Sequence, residues 1–77
     1  MKKGDKITIY VDRSQGDVEG IAALKDGCYA GIIKDQLQNG NWIVGLDERR
    51  YPVFVVNRET LRAETGNNST GVWIDEN

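Results

Sequence analysis

Asn39-Gly40, set between two apolar stretches of strand length, is the feature that most restricts what this chain can fold into. Asparagine and glycine tolerate the backbone angles of a tight turn, so the pair predicts an antiparallel hairpin between Tyr29–Leu37 and Asn41–Asp47. In the returning arm Trp42, Val44 and Leu46 fall on one face. Upstream, Lys6 to Asp12 alternates in the same way, with Ile7, Ile9 and Val11 on one side, the pattern of a half-buried strand. Tyr51 to Val56 reads as a further strand in which Pro52 suits an edge or a start. Asn57-Arg58-Glu59-Thr60 reads as one helical turn and Leu61-Arg62-Ala63 as a short closing strand. Gly31 and Gly45 lie inside strands, where glycine permits a bulge, a bend or close backbone approach.

Residues 17–27 allow two readings. Asp17 can cap a short helix whose face holds Ile21 and Leu24 and which Gly27 ends. Gly20 weakens such a helix by up to about 1 kcal/mol relative to alanine. Alternatively Asp26-Gly27 is a turn that pairs Ile21–Lys25 with Cys28–Ile33. The hairpin-like excursion is favoured. Further on, Gly66-Asn67-Asn68-Ser69-Thr70-Gly71 has the composition of a linker. Val72-Trp73-Ile74 then either docks back on the domain or serves as a recognition segment, and docking is the favoured reading. The expected organisation is a domain over 1–65 and a flexible acidic tail over 66–77.

Seventy-seven residues make one domain, with a small core that hides roughly 60% of the unfolded chain's surface. With one cysteine, Cys28, and no histidine, an internal disulfide and a multi-thiolate metal site are excluded, and the commonest general base and zinc ligand are missing. Cys28 therefore reads as a packed side chain. No apolar region follows Lys2-Lys3, and no stretch approaches about 18 apolar residues, so neither a signal peptide nor a membrane helix is expected and the cytoplasm is the default. The net charge of −2 is uneven: residues 1–63 hold ten bases against nine acids, while residues 64–77 hold Glu64, Asp75 and Glu76 and no base. A near-neutral body with an acidic end argues against strong non-specific nucleic-acid binding.

Strands this short and this evenly spaced fit a small closed or half-closed barrel. Gly4-Asp5-Lys6-Ile7, Ala30-Gly31-Ile32-Ile33, Asn39-Gly40-Asn41-Trp42 and the ending Val53 to Arg62 together resemble the SH3-like barrel superfamily over about four-fifths of the chain. The resemblance implies an all-β barrel of five to six strands with a short helical turn before the last strand. It implies no activity, because many functions share the architecture. The type II dihydrofolate reductases of this fold are similar in size and in the opening glycine-aspartate strand. Their Val-Gln-Ile-Tyr run is replaced here by Phe54-Val55-Val56-Asn57, so that activity is not carried over. Small photosystem and ferredoxin-reductase accessory subunits are similar in strand order, and short phage and mobile-element proteins of this fold match in size.

Asp47-Glu48 and Asp12…Asp17 are acidic pairs of the kind that can do acid–base work when one member is buried. In turns they read as solvated surface. No phosphate-binding, dinucleotide or metal-ligand spacing occurs, so neither catalytic residues nor cofactors nor metals are expected. The best binding candidates are Arg49, Arg50 and Tyr51, with Trp42 and Tyr29 on neighbouring strands and Lys2, Lys3 and Lys34 as extensions. Arginine beside exposed aromatics suits carboxylate recognition on a protein, or phosphate contact with base stacking. Tyr10, opposite the core face of its strand, is a second surface aromatic. Three functions follow in order of expectation: a non-catalytic module binding another protein, a KOW- or Tudor-like nucleic-acid binder, and a subunit of a homo-oligomeric enzyme with an interface site.

Overall fold

The computed structural model describes residues 1–16, 24–65 and 68–76. Six strands follow one another in chain order: β1 (Lys6–Val11), β2 (Gly27–Gln36), β3 (Trp42–Leu46), β4 (Val53–Val56), β5 (Arg62–Thr65) and β6 (Asn68–Glu76). Each pairs antiparallel with the next and β6 returns to β1, which closes the sheet into an all-β barrel. Among the described residues the one helix is a 3-10 turn at Arg13–Gln15.

Alternation sets the inside of the barrel. Ile7, Ile9 and Val11 of β1 face inward and are buried, as expected. So are Val44 and Leu46 of β3, Phe54 and Val56 of β4, and Ile33, Ala63, Val72 and Ile74 from the remaining strands. Leu24, which precedes β2, adds to one end of this core. Gly31 also points inward, where a Cβ would stand 2.5 Å from Ile9 Cδ1, so the missing side chain is the space Ile9 occupies.

The hairpin between β2 and β3 forms where Asn39-Gly40 places it. Gly40 N–H donates to the Leu37 carbonyl at 2.9 Å, and Leu37 N–H donates to the Asn41 carbonyl at 2.8 Å. Gly40 has φ +94°. The glycine thus follows the tight turn, in the manner of a three-residue loop. A register shift between Ile33 and Asp35 marks a bulge at Lys34.

The helix-or-hairpin question over 17–27 falls largely on residues 17–23, which lie outside the described residues. What is described bears on one half of it: β2 pairs with β1 through Gly27–Ile32 and with β3 through Gly31–Gln36.

The turn expected at 57–60 is there. Asn57 Oδ1 accepts from Glu59 N–H at 2.8 Å and Thr60 N–H at 3.1 Å, and Leu61 N–H reaches the Asn57 carbonyl at 2.9 Å. It leads, however, into β5, and another strand follows.

That strand corrects the expected division of the chain. Residues 68–76 are not a tail: they form β6, hydrogen-bonded to β5 and β1 along the barrel wall. Val72 and Ile74 are in the core, so the docking reading of Val72-Trp73-Ile74 describes the structure. The polar composition misleads for a physical reason. Thr70, 1% exposed, satisfies its hydroxyl inside the wall, and Gly71 is required by packing, since any Cβ there would overlap the Asp12 carbonyl.

Candidate functional site

The turn after β3 carries Asp47, Glu48, Arg49 and Arg50 away from the barrel. Asp47 N–H still reaches the Ala30 carbonyl at 3.1 Å, and Arg49 N–H the Leu46 carbonyl at 3.4 Å. From β2, the Lys34 ammonium donates to the Arg49 carbonyl at 3.0 Å and fastens the tip. Asp47 is engaged by Lys6 Nζ at 2.6 Å. No ion pair holds Glu48, Arg49 or Arg50 among the described residues.

A groove of about 330 Å³ opens at this end, lined by Leu24, Tyr29, Ala30, Leu46, Asp47, Glu48 and Arg49. Its floor is apolar and its rim is charged. Tyr29 is held by its hydroxyl, which donates to the Lys25 carbonyl at 2.5 Å. Beside the groove, Tyr51 is 69% exposed, with the Arg50 guanidinium 6.0 Å from its ring centroid. The tip therefore offers two guanidinium groups that have no carboxylate partner among the described residues, next to an apolar hollow and an exposed aromatic ring.

Of the five expected binding residues, Tyr29 and Arg49 share this groove, and Arg50 and Tyr51 follow directly along the chain. Trp42 does not join them. It stands at the opposite end of β3, about 13 Å along the strand from Leu46, half-buried on the inner face and packed on the core. The alternation that put Trp42 with Val44 and Leu46 already implied that orientation. Leu24, Ala30 and Leu46 escaped the sequence reading as groove residues because only the folded chain brings them together.

Of the acidic pairs, Asp12 lies in the cap of the 3-10 turn, and Asp17 is outside the described residues. The Ser14 hydroxyl, the Ser14 N–H and the Gln15 amide all donate to the Asp12 carboxylate and hold its pKa below the usual carboxylate value. Those bonds make it a structural cap. No group of three or more metal-ligating side chains occurs among the described residues.

A second aromatic arrangement stands on the outer wall. Tyr10, Trp73 and Arg62 are cross-strand neighbours on β1, β6 and β5. The two rings stack at 5.7 Å between centroids and 17° between planes, and the Arg62 guanidinium lies 4.9 Å from the Trp73 centroid. Arg62 also donates to Gln15 Oε1 at 3.0 Å and to the Thr70 carbonyl at 3.4 Å. Trp73 thus has a ring on one flank and a cation against it, so the row is a clasp holding three strands.

The chain matches no family model, no curated protein and no solved structure. No described helix is long and apolar enough to cross a membrane.

Proposed function

We propose that the chain is a protein-binding module on an SH3-like barrel, and that its groove takes an apolar side chain flanked by a carboxylate on a partner protein. One observation carries the reading: the apolar floor formed by Leu24, Tyr29 and Leu46 meets the unpaired Arg49 at one end of the barrel. Arg50 and the exposed Tyr51 extend that surface. Guanidinium groups favour planar, two-point contact with carboxylates, and a groove of mixed floor and rim is the usual form of a recognition site. The antiparallel meander, the small size and the return of the last strand to the first support the SH3-like reading of the fold.

Nucleic acid is a poorer fit. Asp47 and Glu48 line the same groove as Arg49 and repel a phosphate backbone, although Lys6 offsets Asp47. Trp42 faces inward and Trp73 is flanked, which leaves Tyr51 as the ring most open to stacking.

Selection of random displayed peptides on the immobilised protein tests this. The expected winners pair a bulky apolar residue with aspartate or glutamate, and Arg49→Ala with Arg50→Ala lowers their affinity about tenfold or more. Peptides that bind the double variant as tightly as the parent would place the site elsewhere. Amide shifts around residues 42–51 on adding short RNA or DNA, lost as salt rises, would turn the reading to nucleic acid.

A further inference from the structure

The outer face of β2, β3 and β4 is apolar where a solvated sheet face is ordinarily polar. Val53-Phe54-Val55-Val56 is apolar on both sides, a pattern typical of strands covered on both faces, yet in the barrel only Phe54 and Val56 are buried. Register places the outward side chains in two rows across the strands. One row runs Ile32, Gly45, Val53, and the other Asp35, Ile43, Val55. Gly45 has no side chain of its own, and a Cβ there would meet the Lys34 stem and the Pro52 carbonyl at 2.9 Å and Val53 Cγ1 at 3.1 Å, so Lys34 and Val53 cover the centre of the face. Val53 is 42% exposed, and Tyr51, 69% exposed, stands two residues before it.

Charge is distributed along this face with a direction. The Ile43–Val55 row is flanked by acids: Asp35 on β2, and Glu64 on β5, which follows Ala63, the register partner of Val56. The Ile32–Val53 row is flanked by bases: the Lys34 stem crosses it at Gly45 and Arg50 precedes Val53 by three residues, while Lys6, opposite Ile32 on β1, is shared with Asp47. A two-fold axis lying in the face between the rows, across the strands, lays the acidic row of one copy on the basic row of another. The patch is therefore complementary to itself.

We propose that this face is the interface of a homodimer, a second copy of the chain covering Ile32, Ile43, Val53 and Val55, with Asp35 and Glu64 of each protomer facing the basic row of its partner. A dimer of ordinary size buries about 800 Å² per protomer, about a sixth of the 4880 Å² surface of the chain. The face adjoins the groove and shares Arg50 and Tyr51 with its surroundings, while the groove floor of Leu24, Tyr29 and Leu46 opens at the end of the barrel.

Light scattering behind size exclusion, run over a concentration series, tests the proposal, with amide spectra to confirm that each variant is folded. The expected result is twice the chain mass at high protein concentration. Val53→Glu, at an exposed position, should weaken the dimer at least tenfold. Glu64→Lys should weaken it as well, and Glu64→Lys combined with Arg50→Glu should restore part of the loss. A folded parent that stays monomeric up to about millimolar concentration overturns the proposal. So does a dimer whose dissociation constant is unchanged in folded Val53→Glu.

Discussion

Inside the barrel wall, the Thr70 hydroxyl donates to the Ala63 carbonyl at 2.9 Å and accepts from Val72 N–H at 3.2 Å, so one buried side chain serves two backbone groups of β5 and β6. Among the described residues no buried side-chain oxygen or nitrogen is without a partner. Thr70→Val keeps the shape and removes both bonds. An unsatisfied buried polar group costs about 1–3 kcal/mol, and the variant should lose that much in urea unfolding, with a lower midpoint and an unchanged slope. A loss below about 0.5 kcal/mol, within the range of ordinary surface substitutions, would mean that the two backbone groups find other partners. Leu61 adds a cost at the same scale: its φ of +58° is strained for a residue with a Cβ. Its N–H is bonded to Asn57 and its carbonyl to Ile74 N–H at 2.9 Å, and these bonds hold it there.

Between strands, the row Tyr10–Trp73–Arg62 binds β1, β6 and β5 from outside while Ile9, Ile74 and Ala63 pack within. Stacked rings add about 0.5–1.5 kcal/mol beyond their burial, and a guanidinium on a ring face about 0.5–1 kcal/mol at an exposed site. A double-mutant cycle of Arg62→Ala and Trp73→Ala should therefore give a coupling near 0.5–1 kcal/mol in thermal or urea unfolding. Additive losses would show that Arg62 acts only through Gln15 and Thr70. This row also marks where sequence reading stops. Strands β1 and β3 were legible because their inward positions are all apolar, so the period of two stands out. In β6 the inward position before Val72 is Thr70 and the next residue is Gly71, so half the strand looks like linker although Thr70, Val72 and Ile74 keep the same period. The arginine tip was legible as a local run, whereas the groove was not, because Leu24, Tyr29 and Leu46 come from three separate stretches of chain. Trp42, expected on chemistry as a binding aromatic on a strand next to the tip, follows its own alternation and packs on the core.

For the whole molecule, closure is what a chain of this size needs. A small core leaves little margin, and an open six-strand sheet would also expose two edges. Here β1 lies between β2 and β6, so a strand near the start of the described chain is completed by one near its end. Asp12 N–H donates to the Gly71 carbonyl at 2.8 Å and the N-terminal ammonium sits 3.4 Å from Glu76, which extends the seam beyond the ladder. A chain truncated after residue 67 loses Thr70, Val72 and Ile74 from the interior and strips β1 and β5 of a neighbour at once. Three lost core contributions of about 1–3 kcal/mol each make up a large part of the stability an ordinary domain possesses, about 5–15 kcal/mol. The truncated chain should therefore give collapsed amide dispersion and no cooperative urea transition. Adding residues 68–77 as a separate peptide should restore both in proportion to its concentration, because the strand binds only the folded form. A truncated chain that melts cooperatively within about 1 kcal/mol of the parent would return residues 68–76 to the status of a dispensable tail, because β6 would then contribute less than a single fully buried valine or leucine side chain.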